Sequence, residues 1–100
     1  RPRISQLEPG AELVRQGDSG QDIYLVLDGV VRVERDGNQL AEYGPGAVLG
    51  ERALLEGGTR TSTLVAVTTC RVASVAAVQL DMSDLAELAT GHRREEGVRG

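Results

Sequence analysis

Apolar and polar residues alternate along this chain in short runs, and glycine-containing turns cut the runs at close intervals. Residues 23–27, IYLVL, form a dense apolar strand, while Val31 and Val33 alternate with Arg32 and Glu34 in the pattern of a half-buried one. Asp28-Gly29 between them reads as a two-residue hairpin turn that accepts positive φ, and Asp36-Gly37 reads as a second, from which 38–43 returns as a strand. Upstream, 4–7 is a first strand closed by Glu8-Pro9-Gly10. Residues 12–16 alternate weakly around Leu13 and Val14 before the turn Gly17-Asp18-Ser19-Gly20. Downstream, 62–67 and 71–75 read as a further hairpin around Thr68-Thr69. Short strands at this spacing predict a sandwich or jelly-roll barrel.

Two stretches break the strand pattern. After the turn at Pro45-Gly46, Val48 and Leu49 lead into Gly50, and 51–56 (ERALLE) are mostly good helix formers. Gly57 and Gly58 end that helix, and Arg60 brings a fixed cation back toward its start. A glycine turn, a helix start with uncommitted N–H groups and an arginine together predict a cradle for one phosphate. The second stretch is 81–90, where Met82, Leu85, Leu88 and Ala89 share one helical face, Asp81 or Ser83 can cap the start, and Gly91 stops it. Residues 91–100 are a charged, glycine-rich tail.

Composition sharpens this picture in a few places. With 100 residues the chain is one small domain, and with no Phe or Trp and two Tyr its core must be built from Val, Leu, Ala and Ile. A net charge of −4 argues against a nucleic-acid surface. No apolar run approaches the ~20 residues that cross a membrane, so no membrane contact is expected. The start, RPRISQ, has neither an initiator Met nor a signal-peptide pattern, and the chain is expected to be a piece of something longer. Cys70 is alone in an apolar run, which predicts a buried structural thiol and no internal disulfide. The single histidine, His92, lies in the tail. A metal-dependent jelly-roll enzyme of cupin type needs clustered histidines on strands, so that class is set aside.

Two segments in this order resemble the cyclic nucleotide-binding domains of the bacterial cAMP receptor protein, protein kinase A regulatory subunits and nucleotide-gated channels. Residues 14–37, VRQGDSGQDIYLVLDGVVRVERDG, look like the early strands of that family; 49–63, LGERALLEGGTRTST, look like its phosphate-binding cassette. The resemblance spans roughly 4–90. It implies a mainly β fold: a jelly-roll β-barrel (β-roll) over about 4–76, a short helix in the cassette and a C-terminal helix over about 81–90. By position, Glu51 would accept the ribose 2′-hydroxyl and Arg60 would pair with the cyclic phosphate. Gly50, Arg52 and Ala53 would present backbone N–H groups, and Thr61 and Ser62 an N–H or hydroxyl. Leu40, Val48 and Leu49 are candidates to line the base. These residues show no pattern for two features of the family, the long purine-capping helix after Gly91 and the helices before the roll, so the expectation is either a partly exposed base or a parent protein that supplies those parts.

The chemistry agrees with this assignment. A carboxylate in a phosphate cradle needs a donor, and a sugar hydroxyl supplies one. A cyclic phosphodiester carries one negative charge, which one arginine and a few amides balance without a metal. A triphosphate calls for a G-x-x-x-x-G-K-[ST] loop, which the chain lacks. The reading is a non-catalytic, cytoplasmic regulatory domain without a cofactor that binds a cyclic nucleotide, cAMP ahead of cGMP. It would relay occupancy through the helix near Leu85 and Leu88 to an effector domain in a longer parent. The alternative is a β-roll that binds no nucleotide and serves as an interaction or scaffold module, with Glu51 and Arg60 a surface ion pair worth about 0.5 kcal/mol.

Overall fold

The computed structural model describes residues 2–55 and 57–76. Eight strands and one helix follow in the order β1 (Arg3–Leu7), β2 (Glu12–Val14), β3 (Asp22–Asp28), β4 (Val31–Arg35), β5 (Asn38–Tyr43), β6 (Val48–Leu49), α1 (Glu51–Leu55), β7 (Thr63–Ala66) and β8 (Cys70–Ala76). They form two four-stranded sheets, ordered β1-β8-β3-β6 and β2-β7-β4-β5. Every strand pair within them is antiparallel. The expected mainly β roll with a short cassette helix is therefore present. The predicted C-terminal helix over 81–90 and the tail 91–100 lie outside the described residues.

Apolar inner faces explain why the two sheets close on each other. Tyr24, Val26, Leu49 and Cys70 from the first sheet meet Val31, Leu64 and Ala66 from the second in one cluster, with Ala47 between β5 and β6. Val26, Val31, Val72 and Cys70 are the largest fully buried side chains, so β-branched residues fill the space that aromatic rings occupy in other small cores. Cys70 is a buried free thiol, as expected, and its S–H donates to the Val30 and Thr68 carbonyls at 3.1 and 3.3 Å. The residues between these on β3, Ile23 and Leu25, face the other side of the first sheet, which is why IYLVL carries no polar interruption.

Two of the three expected hairpins are corrected. β3 and β4 belong to different sheets, so Asp28-Gly29 carries the chain across the sandwich and joins no paired strands. The same holds for Thr68-Thr69 between β7 and β8. Asp36-Gly37 does close a hairpin, β4 with β5, and both residues have positive φ (54° and 80°), the geometry a twisted two-residue turn requires. A turn dipeptide reports only that the chain reverses. Whether the next strand pairs or crosses is set by which face must be buried.

Candidate anion-binding site

Arg60 is the centre of the site. It is 5% exposed, and among the described residues it is the one buried charged side chain. Its backbone is held by a short ladder against the loop before β3. Arg60 N–H donates to the Asp18 carbonyl at 2.8 Å, Gly17 N–H donates to the Arg60 carbonyl at 2.9 Å, and Ser19 bridges Thr59. Gly20 N–H donates to the Gly58 carbonyl at 2.8 Å, and Gly58 N–H donates in turn to the Ala53 carbonyl at 2.6 Å, closing the end of α1. The sequence GGTR thus ends a helix and docks an arginine in four residues.

The side chain is as constrained as the backbone. Arg60 Nη1 donates to the Asp22 carbonyl at 3.1 Å and to the Gly50 carbonyl at 3.3 Å. Its Cζ lies 5.5 Å from the centre of the Tyr24 ring, within cation–π range. Gly50 has φ 90°, and a Cβ there would come 2.9 Å from the Asp22 carbonyl oxygen, 3.1 Å from Nη1 and 3.2 Å from Tyr24 Cδ2. Glycine at this turn therefore serves both the backbone and the guanidinium beside it. The Tyr24 hydroxyl titrates above its ordinary 10.0, chiefly because burial disfavours the phenolate; the Arg60 charge pulls it down and Asp22 raises it.

No carboxylate among the described residues forms an ion pair with Arg60. The pairs present there, Arg15–Glu12, Arg32–Glu34 and Arg71–Asp28, are all more exposed. A buried cation held only by carbonyl dipoles and a ring face is costly to desolvate, and an incoming anion offsets that cost. An open cleft of about 280 Å³ reaches the guanidinium, lined by Val14, Asp18, Gly20, Asp22 and Tyr24 among others.

Of the other candidates, Gly50 meets the guanidinium through its carbonyl, and none of them is among the residues lining this cleft. Glu51, half-buried, opens α1 directly after the Gly50 carbonyl that Arg60 engages. Arg52 is exposed. Ala53 is 2% exposed and its N–H donates to the Gly50 carbonyl at 3.3 Å, so the amide expected to face a ligand closes the turn instead. Thr61 and Ser62 are half-buried and follow Arg60 into β7, with the Thr61 carbonyl accepting from Arg35 Nε at 3.1 Å. Val48 and Leu49, expected to line a base, are each 5% exposed and fully occupied by packing. Leu40 is different: it is the extra residue of a bulge in β5 and 51% exposed. The sequence pattern marks Gly20 only as part of a turn and Tyr24 only as part of the apolar strand 23–27, with Asp22 just before it. Nothing local places them on Arg60, because they reach it through strand pairing and loop stitching about 40 residues apart.

The family model described as the cyclic nucleotide-binding domain matches residues 4–82. The chain belongs to this family. A cAMP-dependent protein kinase regulatory subunit of Eremothecium gossypii is 43% identical over 61 residues, 61% of this chain and 13% of that protein. A cGMP-dependent protein kinase, isozyme 2, of Drosophila melanogaster is 38% identical over 60 residues, 60% of this chain and 6% of that protein. The domain thus spans a small fraction of the curated relatives it matches. Two solved structures share its fold. One is cAMP-bound PfPKA-R, with a TM-score of 0.81 and 22% identity over 98% of this chain and 35% of that one. The other is the regulatory subunit of a cAMP-independent protein kinase A from Trypanosoma brucei, with 0.80 and 23% over 96% and 35%.

Proposed function

We propose that this cyclic nucleotide-binding domain binds a cyclic nucleotide through Arg60, prefers cAMP to cGMP, and passes occupancy to an effector domain of a longer parent chain. The observation that carries the reading is Arg60 itself, a buried guanidinium with two carbonyls on Nη1 and no carboxylate pairing it among the described residues. A monoanionic cyclic phosphodiester matches that single charge, and Nε and Nη2 provide the planar fork for it. Glu51, beside Gly50, takes the ribose hydroxyl, and Gly50, Arg52, Thr61 and Ser62 contribute backbone or hydroxyl groups around the phosphate. Leu40 offers the exposed apolar surface for the base.

The preference for cAMP is supported by the higher identity to a cAMP-dependent kinase regulatory subunit than to a cGMP-dependent kinase. The role is regulatory binding, with no catalysis assigned to the domain. A buried, reduced Cys70 fits a cytoplasmic setting. A second reading, a domain that keeps the roll without responding to nucleotide, is favoured by one observation: the fold is shared equally well with the regulatory subunit of a protein kinase A described as cAMP-independent.

Calorimetric titration with cAMP and cGMP separates the two. The expected result is saturable binding, tighter for cAMP, lost in Arg60→Ala. Heats indistinguishable from dilution for both nucleotides would establish the scaffold reading.

A further inference from the structure

Gly20 does not need to be glycine for its backbone. Its φ lies outside the left-handed region, unlike that of Gly17 three residues earlier at 91°. What the position lacks is room. A Cβ at Gly20 would stand 2.7 Å from Arg60 Nε, 2.8 Å from Nη2 and 3.0 Å from Cζ. These distances put that point beside the Nε–Nη2 side of the guanidinium, obliquely between its edge and its face. A carbon at that range crowds both donors and the space an acceptor needs to reach them. Nη1, on the far side, is already engaged by the Asp22 and Gly50 carbonyls. The edge over Gly20 is therefore the one the guanidinium can turn toward a two-oxygen anion, and it opens into the cleft that Gly20 and Arg60 both line.

We propose that Gly20 is a positioning residue for Arg60: its missing side chain lets the guanidinium keep its place on Asp22 and Gly50 with the Nε–Nη2 edge clear for a phosphodiester. This rests on the cyclic nucleotide reading for the identity of the anion, though not for the contact. Neither partner can step aside at its backbone, since Gly20 is tied to Gly58 and Arg60 to Asp18 and Gly17. The atoms in the way are the tip of a long side chain, so alanine at Gly20 leaves the fold intact. It pushes the guanidinium off Asp22 and Gly50 instead.

The test uses the whole chain as wild type, Gly20→Ala, Arg60→Ala and the double variant, with Gly44→Ala as control. A Cβ at Gly44 would meet no atom within 4 Å, and its φ is not positive. Gly20→Ala is expected to fold, to shift the Arg60 Nε–H resonance (assigned by its loss in Arg60→Ala), to lower Tm, and to weaken cAMP binding by about tenfold or more. In the Arg60→Ala background the same change should leave Tm where it was, and Gly44→Ala should alter neither resonance nor affinity. An equal Tm loss in both backgrounds, failure to fold in both, an unmoved Nε–H resonance or an unchanged affinity beside a binding wild type overturns the assignment. If wild type takes up neither cAMP nor cGMP, the ligand reading fails, while the Tm cycle and the resonance still decide whether Gly20 positions Arg60.

Discussion

Arg60 and Tyr24 lie together at the centre of the site, the guanidinium carbon 5.5 Å from the centre of the ring. Losing a charge-assisted hydrogen-bonding partner costs about 1.5–3 kcal/mol, so Arg60→Ala should weaken cyclic nucleotide binding roughly ten- to a hundred-fold or more. Arg60→Lys should recover little of it, because an ammonium cannot hold the Asp22 and Gly50 carbonyls and still offer a two-point fork. Parallel titrations of the two variants check this. Tyr24 gives a second prediction at the same scale. Its folded pKa is raised above 10.0, chiefly by burial, so above about pH 10 the unfolded chain ionises while the folded one keeps its proton. Stability from this group is present below that pH and lost as pH rises through the folded value. Tyr24→Phe should therefore flatten the fall of Tm between about pH 9 and 11, measured by calorimetry against wild type.

At the scale of elements, the links between sheets matter more than the strands. Gly29, with φ 88°, carries the chain from β3 to β4, and a Cβ there would run into the Thr69 carbonyl oxygen and come 2.8 Å from Cys70 Sγ. The β3–β4 link is thus packed on the β7–β8 link. Gly37, with φ 80°, turns β4 into β5 with nothing within 4 Å. Both positions carry the same backbone strain when substituted, so their difference isolates the packing. Gly37→Ala should cost about 1 kcal/mol, and Gly29→Ala a further 1–3 kcal/mol or more. Urea denaturation midpoints of the two variants compare them directly. Core strands show the opposite sensitivity: Val31→Ala, at 0% exposure, should cost about 2 kcal/mol through two lost methyl groups and the space they leave.

For the molecule as a whole, β1 pairs β8 and, the β4–β5 hairpin apart, each sheet is built from strands distant in sequence, so a ligand that holds one part of the folded roll stabilises the whole. A nucleotide at a hundredfold excess over its Kd should stabilise the folded domain by about 2.7 kcal/mol. For a domain of this size that corresponds to roughly 10–20 °C in Tm, and Arg60→Ala should show no such rise. By itself the sequence determined the strand positions, the Asp36-Gly37 hairpin, the cassette helix after Gly50 and the return of Arg60 to the start of that helix, because alternation, turn chemistry and glycine placement act over a few residues. Tertiary structure alone decided that the links after Asp28 and Val67 cross between sheets, that Val48 and Leu49 are consumed by packing, and that Gly20, Asp22 and Tyr24 enclose the guanidinium. Those outcomes depend on which faces must be buried together and on contacts made across some 40 positions of chain, and no local pattern encodes them.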